Sequence, residues 1–523
     1  MNLGRYLRRT RAHQPDAEAV ICGDTRLTYA ELDEASDRLA TALRRLGLRE
    51  GDCVATLADN RAELVVAEVA LYKAGLVRAP VNARLGEREV AHLLRESAAR
   101  VLLVDAEHLS TGLAGDHLDA VVCFDRTDCS AAPNESGGRI LDYRGLLDDA
   151  PAEPVDVDCA DSDIAVLHFT SGSTGELKAA IQTFGNRLAL MRKMVMGDAR
   201  IEPGEKEVLA GPITHASGMP LMGIFFAGGC AIVLPRWDAE EFLATVERER
   251  ATHAFVVPTM INAVLALPNA REYDRTSMRR LIYGAAPMSP QRIREAWELF
   301  GPVLSQGYGC GETTSGVLFL SIEDHRRAIE GDDEELLLSC GRPRTEAEVA
   351  IVDEGGRPVP AGEIGEIAVR GPDVVPGYFN EPDLTAESFR DGWFRTGDLA
   401  RQREDGYVFI VDRKKDMIIS GGFNVYAVEV EAVLHQHPDV FEAAVVGVPD
   451  ERWGEAVKAV VVPRAGRSLD AAELVEFCAR RLARMKKPRS VDVVESLPHN
   501  PNGKLDRRAV RDRYWAGAER RVH

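Results

Sequence analysis

A chain of 523 residues is too long for one hydrophobic core, so at least two domains are expected. Hydrophobic residues make up 45% and charged residues 28%, the balance of a soluble globular protein. A formal charge of −19 argues against a nucleic-acid binder and against adhesion to an anionic membrane. The nine cysteines include no Cys-x-x-Cys pair and no Cys/His cluster, so neither structural zinc nor a disulfide framework is expected, and a reducing cytoplasm fits. The N-terminus carries Arg5, Arg8, Arg9 and Arg11 but no apolar core of a secretory signal. The longest nearly apolar stretch, residues 223–234, is too short to cross a bilayer and reads as a buried element, so no membrane insertion is expected.

In chain order, residues 27–81 alternate amphipathic helix with short apolar runs. Leu32, Leu39, Leu43 and Leu46 recur at helical spacing, and 53–57 reads as a strand. The rhythm continues at 101–105, 121–124, 207–210 and 231–234, and alternating β and α predicts parallel sheets covered by helices. Residues 129–154, rich in Ser, Gly, Pro and Asp, read as a surface excursion. From Gly341 the texture changes to short β segments at 347–352, 365–370 and 407–411, which predicts a small, largely antiparallel subdomain. A charged run at Asp412-Arg413 marks a boundary. The remaining residues have their own βαβ rhythm, with 443–448 and 457–462 as strands.

The most informative segment is Thr170-Ser171-Gly172-Ser173-Thr174-Gly175-Glu176-Leu177-Lys178, which follows the apolar run 164–169. Glycines let backbone N–H groups approach a polyphosphate, hydroxyls donate hydrogen bonds and a lysine adds a point charge. The spacing is not that of the P-loop of nucleoside triphosphatases. Alone, such a segment is as well read as a solvated turn. Downstream come Gly307-Tyr308-Gly309-Cys310-Gly311-Glu312, then Trp393-Phe394-Arg395-Thr396-Gly397-Asp398, then Asp412-Arg413-Lys414-Lys415-Asp416, then Asn502-Gly503-Lys504.

These five segments, in this order, resemble the signatures of the adenylate-forming superfamily, which includes acyl- and aryl-CoA synthetases, peptide-synthetase adenylation domains and luciferases. The resemblance extends over nearly the whole chain and is closest to acyl-CoA synthetase-like members. It implies an α/β fold: a large N-terminal domain, 1–411, of two parallel-type αβ sheets plus a small β subdomain, then a small mobile α+β C-terminal domain, 412–523, with its hinge at Asp412. It implies ATP-dependent activation of a carboxylic acid as an acyl-adenylate, release of pyrophosphate, and transfer to a thiol of CoA or a carrier-protein pantetheine. ATP and Mg2+ are the implied cofactors.

By the same resemblance, Thr170, Ser171, Gly172, Ser173, Thr174, Gly175 and Lys178 hold the phosphates. Glu312 is the magnesium-associated carboxylate. Tyr308 with Gly309 lies against the adenine, opposite Gly284, Ala285 and Ala286. Asp398 and Arg413 hold the ribose. Lys504 is the mobile catalytic lysine, and His215 gates the acid. The implied acid pocket is lined by His215, Ser217, Met219, Met260, Gly284, Gly307 and Val317. Gly421, Gly422 and Lys486 face the thiol or CoA, although Lys486 equally suits a solvated basic face. Nothing at 211–229 is acidic, which separates the chain from adenylation domains for α-amino acids.

The chain departs from the family pattern at Leu177 and Ala179, where proline and glycine are usual, at Gly311 for threonine, and at Ala427 for proline. Gly311→Thr is expected to be accommodated if the acid adopts the family's usual pose. The departures keep open a specialised adenylating ligase that uses another oxyacid, such as nitrite, or an amine or other non-thiol acceptor. A silent nucleotide- or acyl-binding protein is a third alternative, disfavoured because Lys504, Glu312 and Asp398 are all present.

Overall fold

The computed structural model describes the chain except residues 1, 111–117, 126–138, 172–176, 198–199, 332, 345, 422, 451, 465, 500–504 and 516–523. Among the described residues four sheets organise it. A seven-stranded sheet runs Arg139–Asp142, Ala120–Cys123, Ala99–Val104, Cys53–Leu57, Val77–Val81, Ile164–Ser171, Leu177–Thr183. All its pairings are parallel except the last. Strands Cys53–Leu57 and Val77–Val81 are buried at every residue, as expected where helices cover both faces of a parallel sheet.

A nine-stranded sheet holds Lys206–Leu209, Cys230–Val233, His253–Val256, Arg280–Gly284 and Leu304–Gly309 in parallel, with antiparallel strands at both edges. The apolar stretch 223–234 resolves into helix Leu221–Ala227 and buried strand Cys230–Val233. Helix Ala62–Ala74 is apolar around most of its circumference and buried along its length, so the polar residues it carries must be paired. Lys73 donates to Asp33 at 2.6 Å and lies 3.0 Å from Asp37, both on helix Tyr29–Arg45. That second helix starts where Thr28 and Glu31 form a capping box.

Beyond Gly341, Glu348–Val352, Ile364–Arg370, Trp393–Gln402, Phe389–Arg390 and Val408–Arg413 form the antiparallel sheet that the short β segments predict. The last sheet holds Ile418–Ser420, Phe423–Val425, Val440–Asp450, Gly454–Pro463 and Ser490–Val493. Its two long strands are antiparallel neighbours. The βαβ rhythm expected there therefore reduces to one unit, in which helix Ala471–Ala479 links Gly454–Pro463 to the parallel strand Ser490–Val493.

Two further expectations are corrected. The excursion at 129–154 is not wholly irregular, since strand Arg139–Asp142 and helix Tyr143–Asp148 lie within it, the helix capped by Asp142. Among the described residues seven cysteines are free and Cys123 is disulfide-bonded, a cross-link that the scattered cysteines did not signal. Among the described residues no helix is long and apolar enough to cross a membrane.

Candidate active site

Strands Ile164–Ser171 and Leu177–Thr183 form an antiparallel hairpin in which Thr170 pairs with Lys178. The hairpin therefore delivers Thr170 and Lys178 together at its mouth. Gly172, Ser173, Thr174 and Gly175 lie outside the described residues, as do Gly422 and Lys504; the side chain of Ser171 is not described.

The hairpin meets the segment after strand Leu304–Gly309 through one carboxylate. Thr170 Oγ1 donates to Oε1 of Glu312 at 3.0 Å, and the Tyr378 hydroxyl donates to the same oxygen at 2.9 Å. Glu312 is 8% exposed, and burial with Glu312 beside it pushes the Tyr378 hydroxyl far above its ordinary value. Tyr378 escaped the sequence analysis, its only signal being the Gly377-Tyr378 pair before helix Pro382–Ser388. Among the described residues no group of three or more His, Cys, Asp or Glu could cage a metal. A single hard carboxylate fits Mg2+, which keeps water and phosphate oxygens in its shell. Glu312 would hold it.

The parallel strands Arg280–Gly284 and Leu304–Gly309 pair Gly284 with Gly307. A Cβ at Gly284 would stand 2.3 Å from the Gly307 carbonyl oxygen, so glycine is required for the strands to lie this close. Ala285 follows in the left-handed region at φ 66°. This places Gly284, Ala285 and Ala286 at the carboxyl ends of parallel strands, where open α/β sheets bind ligands.

Tyr308 donates its hydroxyl to Oδ2 of Asp398 at 2.6 Å, and Arg413 Nε lies 3.2 Å from Oδ1 of Asp398. Asp398 and Arg413 are cross-strand partners in the antiparallel sheet. Burial and the Asp398 charge hold the Tyr308 hydroxyl well above its usual range, so it stays a donor. A carboxylate gripped from two sides, with acceptor lone pairs to spare, suits a vicinal diol.

Asp412, next to Arg413, is 1% exposed and accepts hydrogen bonds from the backbone N–H groups of Arg413 and Ala427. Burial pushes its carboxyl up to about 7. Lys486 donates to both carboxylate oxygens of Glu429 on helix Ala427–Leu434, at 2.9 and 2.8 Å, so its charge is already engaged. Gly421 has φ 60°, and a Cβ there would meet the Trp453 ring at 2.3 Å.

The expected acid pocket is only partly assembled. His215 and Met219 line a cavity, but with Arg78, His168, Gln182 and Arg187 rather than with the other expected residues. Ser217 instead accepts from the Gly211 backbone at 3.0 Å, and the Met260 methyl lies near the same glycine. Gly307 faces the Phe319 ring. Val317 is fully buried in the core that joins strand Gly316–Leu320 to the antiparallel subdomain, among Ile367, Val369 and Val408, so its side chain packs the fold rather than a substrate.

His168 is the main residue that sequence reasoning missed. It sits in strand Ile164–Ser171, 7% exposed, edge-on to His215 with ring centroids 5.5 Å apart. Burial, with His215, Arg187 and Arg78 nearby, holds its imidazole well below the usual value and therefore neutral. It occupies the room that Gly311 leaves. A Cβ at 311 would approach His168 Cδ2 to 2.5 Å and Thr170 Cγ2 to 2.6 Å. The expectation that threonine would be accommodated at 311 is overturned by this contact. Gln182 Nε2 closes the far side by donating to the Gly311 carbonyl at 3.1 Å. Arg187 stands one turn into helix Phe184–Met196, whose start Thr183 and Asn186 cap.

The model of the AMP-binding enzyme family matches residues 7–379, and that of the AMP-binding enzyme C-terminal domain matches 429–504. A feruloyl-CoA synthase of Amycolatopsis sp is 40% identical over 98% of this chain and 99% of its own. The amide bond synthetase of Marinactinospora thermotolerans superposes with a TM-score of 0.86 at 31% identity, over 98% of this chain and 99% of that one. The o-succinylbenzoate CoA synthetase of Bacillus subtilis, in complex with its acyl-adenylate intermediate, gives 0.82 at 31% identity, over 97% of each chain. The chain belongs to the AMP-binding enzyme family and is an AMP-forming acid–thiol ligase of the acyl-CoA synthetase type.

Proposed function

We propose that the hairpin after Thr170 takes the ATP phosphates while Tyr308, Asp398 and Arg413 take the nucleoside, with the acid held beside His168 and His215. The observation that carries this is the convergence of Thr170 and Tyr378 on Glu312, which ties the phosphate hairpin to the nucleoside strand. A carboxylate oxygen attacks the α-phosphorus and pyrophosphate leaves. The thiol sulfur then attacks the acyl carbon and AMP leaves. Both steps depend on position and on charge stabilisation. Mg2+ at Glu312 would neutralise phosphate charge.

Asp412 is proposed as the boundary between an N-terminal domain, 1–411, and a C-terminal domain, 412–523, that moves between the half-reactions. Its buried carboxylate, tied to backbone on both sides, supplies a defined pivot. Lys504 would serve the first half-reaction and leave before the second.

ATP-dependent pyrophosphate release, measured across fatty, aryl and dicarboxylic acids with and without CoA, tests this. Release with an acid, and an acyl-CoA when CoA is added, is the expected outcome. Absence of release with every acid, although ATP binds, would favour a silent nucleotide-binding protein. A second acceptor class, an amine, is supported by the likeness to an amide bond synthetase and by the engagement of Lys486 with Glu429. Release without any CoA product, but with an amide when amines are added, would select it.

A further inference from the structure

Helix Phe184–Met196 continues directly from the hairpin's second strand, Leu177–Thr183, and one of its faces reaches two segments of the active site at once. Asn186 and Lys193 stand about two turns apart on that face. Asn186 Nδ2 donates to the carbonyl oxygens of Pro372 and Val374, at 2.8 and 3.0 Å. The Lys193 ammonium donates to Asp373 Oδ2, to Ser315 Oγ at 3.1 Å and to the Gly316 carbonyl at 2.8 Å. Residues 372–374 lead to Tyr378, and residues 315–316 follow the turn that holds Glu312. Lys193 therefore clamps together the two segments that carry the partners of one hydrogen bond, Tyr378 to Glu312.

Backbone contacts extend the clamp. Thr314 Oγ1 donates to the Asp373 carbonyl at 2.6 Å, and the Val375 N–H donates to the Glu312 carbonyl at 2.9 Å. The Ile181 N–H donates to the Gly377 carbonyl and the Phe379 N–H to the Ala179 carbonyl, which lays the Tyr378 segment along the hairpin. Lys193 is 9% exposed and Asp373 2%. Burying such a pair desolvates two ions, and apolar residues of similar volume often serve stability as well or better. Among the described residues Asp373 Oδ1 is buried with no hydrogen-bond partner, a further cost. What the pair gains is geometry, because it holds residues 372–374 at one distance from residues 315–316.

We propose that Lys193 and Asp373 are positioning residues for the metal–nucleotide site: the pair fixes the Tyr378 segment against the Glu312 turn and so sets how tightly Mg2+-bound ATP is held. The pair acts through Tyr378 and the Glu312 carboxylate and touches neither nucleotide nor metal itself. The proposal deepens the reading of Glu312 as the Mg2+ carboxylate and rests on it.

Calorimetric titration of the full chain with ATP, without any acid, tests it. Each titration is run with Mg2+ and again with EDTA, and the ratio of the two Kd values is the metal preference. Lys193→Gln/Asp373→Asn removes one charge of each sign, so no buried ion is left alone. This variant should lower the metal preference about tenfold or more, the scale of losing a partner that orients a metal-ligating side chain. Glu312→Gln should lower it as well, and the triple variant should lose no more than Glu312→Gln alone. A pair variant that melts earlier but keeps the preference, while Glu312→Gln loses it, overturns the proposal and leaves the metal reading of Glu312 standing. A preference kept by Glu312→Gln sinks the metal reading, and the route through Glu312 with it. Additive losses in the triple variant also overturn that route. Asp373→Asn alone is nearly isosteric and leaves Lys193 its bonds to Ser315 and Gly316. It should show the same loss in milder form, and it decides the matter if the pair variant fails to fold.

Discussion

Gly311 and His168 are fitted to each other: a Cβ at position 311 would lie 2.5 Å from Cδ2 of the histidine ring. His168 is hemmed in by His215 on one side and Thr170 follows it by two residues on the same strand, so the ring has little room to retreat. The imidazole fills the space that Gly311 leaves.

Gly311→Thr is therefore expected to overpack the site, at a cost of about 1–3 kcal/mol in stability, and to depress pyrophosphate release. His168→Ala alone should open a gap and also lower release. The double variant should recover much of the stability that Gly311→Thr loses. Thermal melts and release rates on all four chains form a double-mutant cycle, with a coupling of ~0.5–3 kcal/mol expected. Additive effects would show that the two residues do not share one space.

The nucleoside end yields a second prediction. Asp398 accepts from Tyr308 and faces Arg413, both through short contacts. Asp398→Asn should raise KM for ATP by roughly 10- to 100-fold, since hydrogen bonds to a charged group contribute ~1.5–3 kcal/mol. Tyr308→Phe removes one donor and should cost less, with kcat changing little in both. An unaltered KM for ATP with a fall in kcat would place Asp398 at the chemistry instead of the ribose.

Much of this was legible in the chain. Strand 53–57 falls where the pattern put it, because periodicity and turn residues are local signals. Thr170, Glu312, Tyr308, Asp398 and Arg413 were found by motif, and the structure brings them together in two contacting clusters. The cavity beside His168 was not legible. Glu68, Arg78, His168 and Arg187 come from a buried helix, two strands and a capped helix scattered over the first 190 residues, and nothing local marks them as neighbours. Val317 was misplaced because an alternating strand shows which residues are apolar but not which of two cores each face enters.

Glu207 provides a pH test of the core. It is 3% exposed in the middle of the nine-stranded sheet, and burial pushes its carboxyl up to about 8. The folded chain holds this proton while the unfolded chain releases it near 4.5, so the unfolded state binds fewer protons between those values. Stability is then lost as pH rises through that window, at up to ~1.4 kcal/mol per pH unit. Glu207→Gln cannot titrate. Its advantage over the unaltered chain in urea denaturation should grow from about pH 5 to about pH 8 and level off above. A difference that stays constant with pH would mean that Glu207 is ionised in the fold.

The assignment of Lys504 separates the half-reactions. A flexible ammonium can approach the α-phosphate and carboxylate during adenylation, where negative charge concentrates. Thiolysis needs no such charge, because the acyl-adenylate already carries a good leaving group. Lys504→Ala should therefore lower acyl-adenylate formation by ~100-fold or more, the scale of losing one preorganised charge contact. It should leave thiolysis of a supplied acyl-adenylate within a few-fold of the unaltered chain. Rapid-quench measurement of the two steps, with ATP plus acid in one and synthetic acyl-adenylate plus CoA in the other, distinguishes them. Equal loss in both steps would refute alternation about Asp412, since one lysine would then be present throughout. Undiminished adenylation would remove Lys504 from the chemistry and leave charge stabilisation to Lys178 and to the Mg2+ that Glu312 would hold.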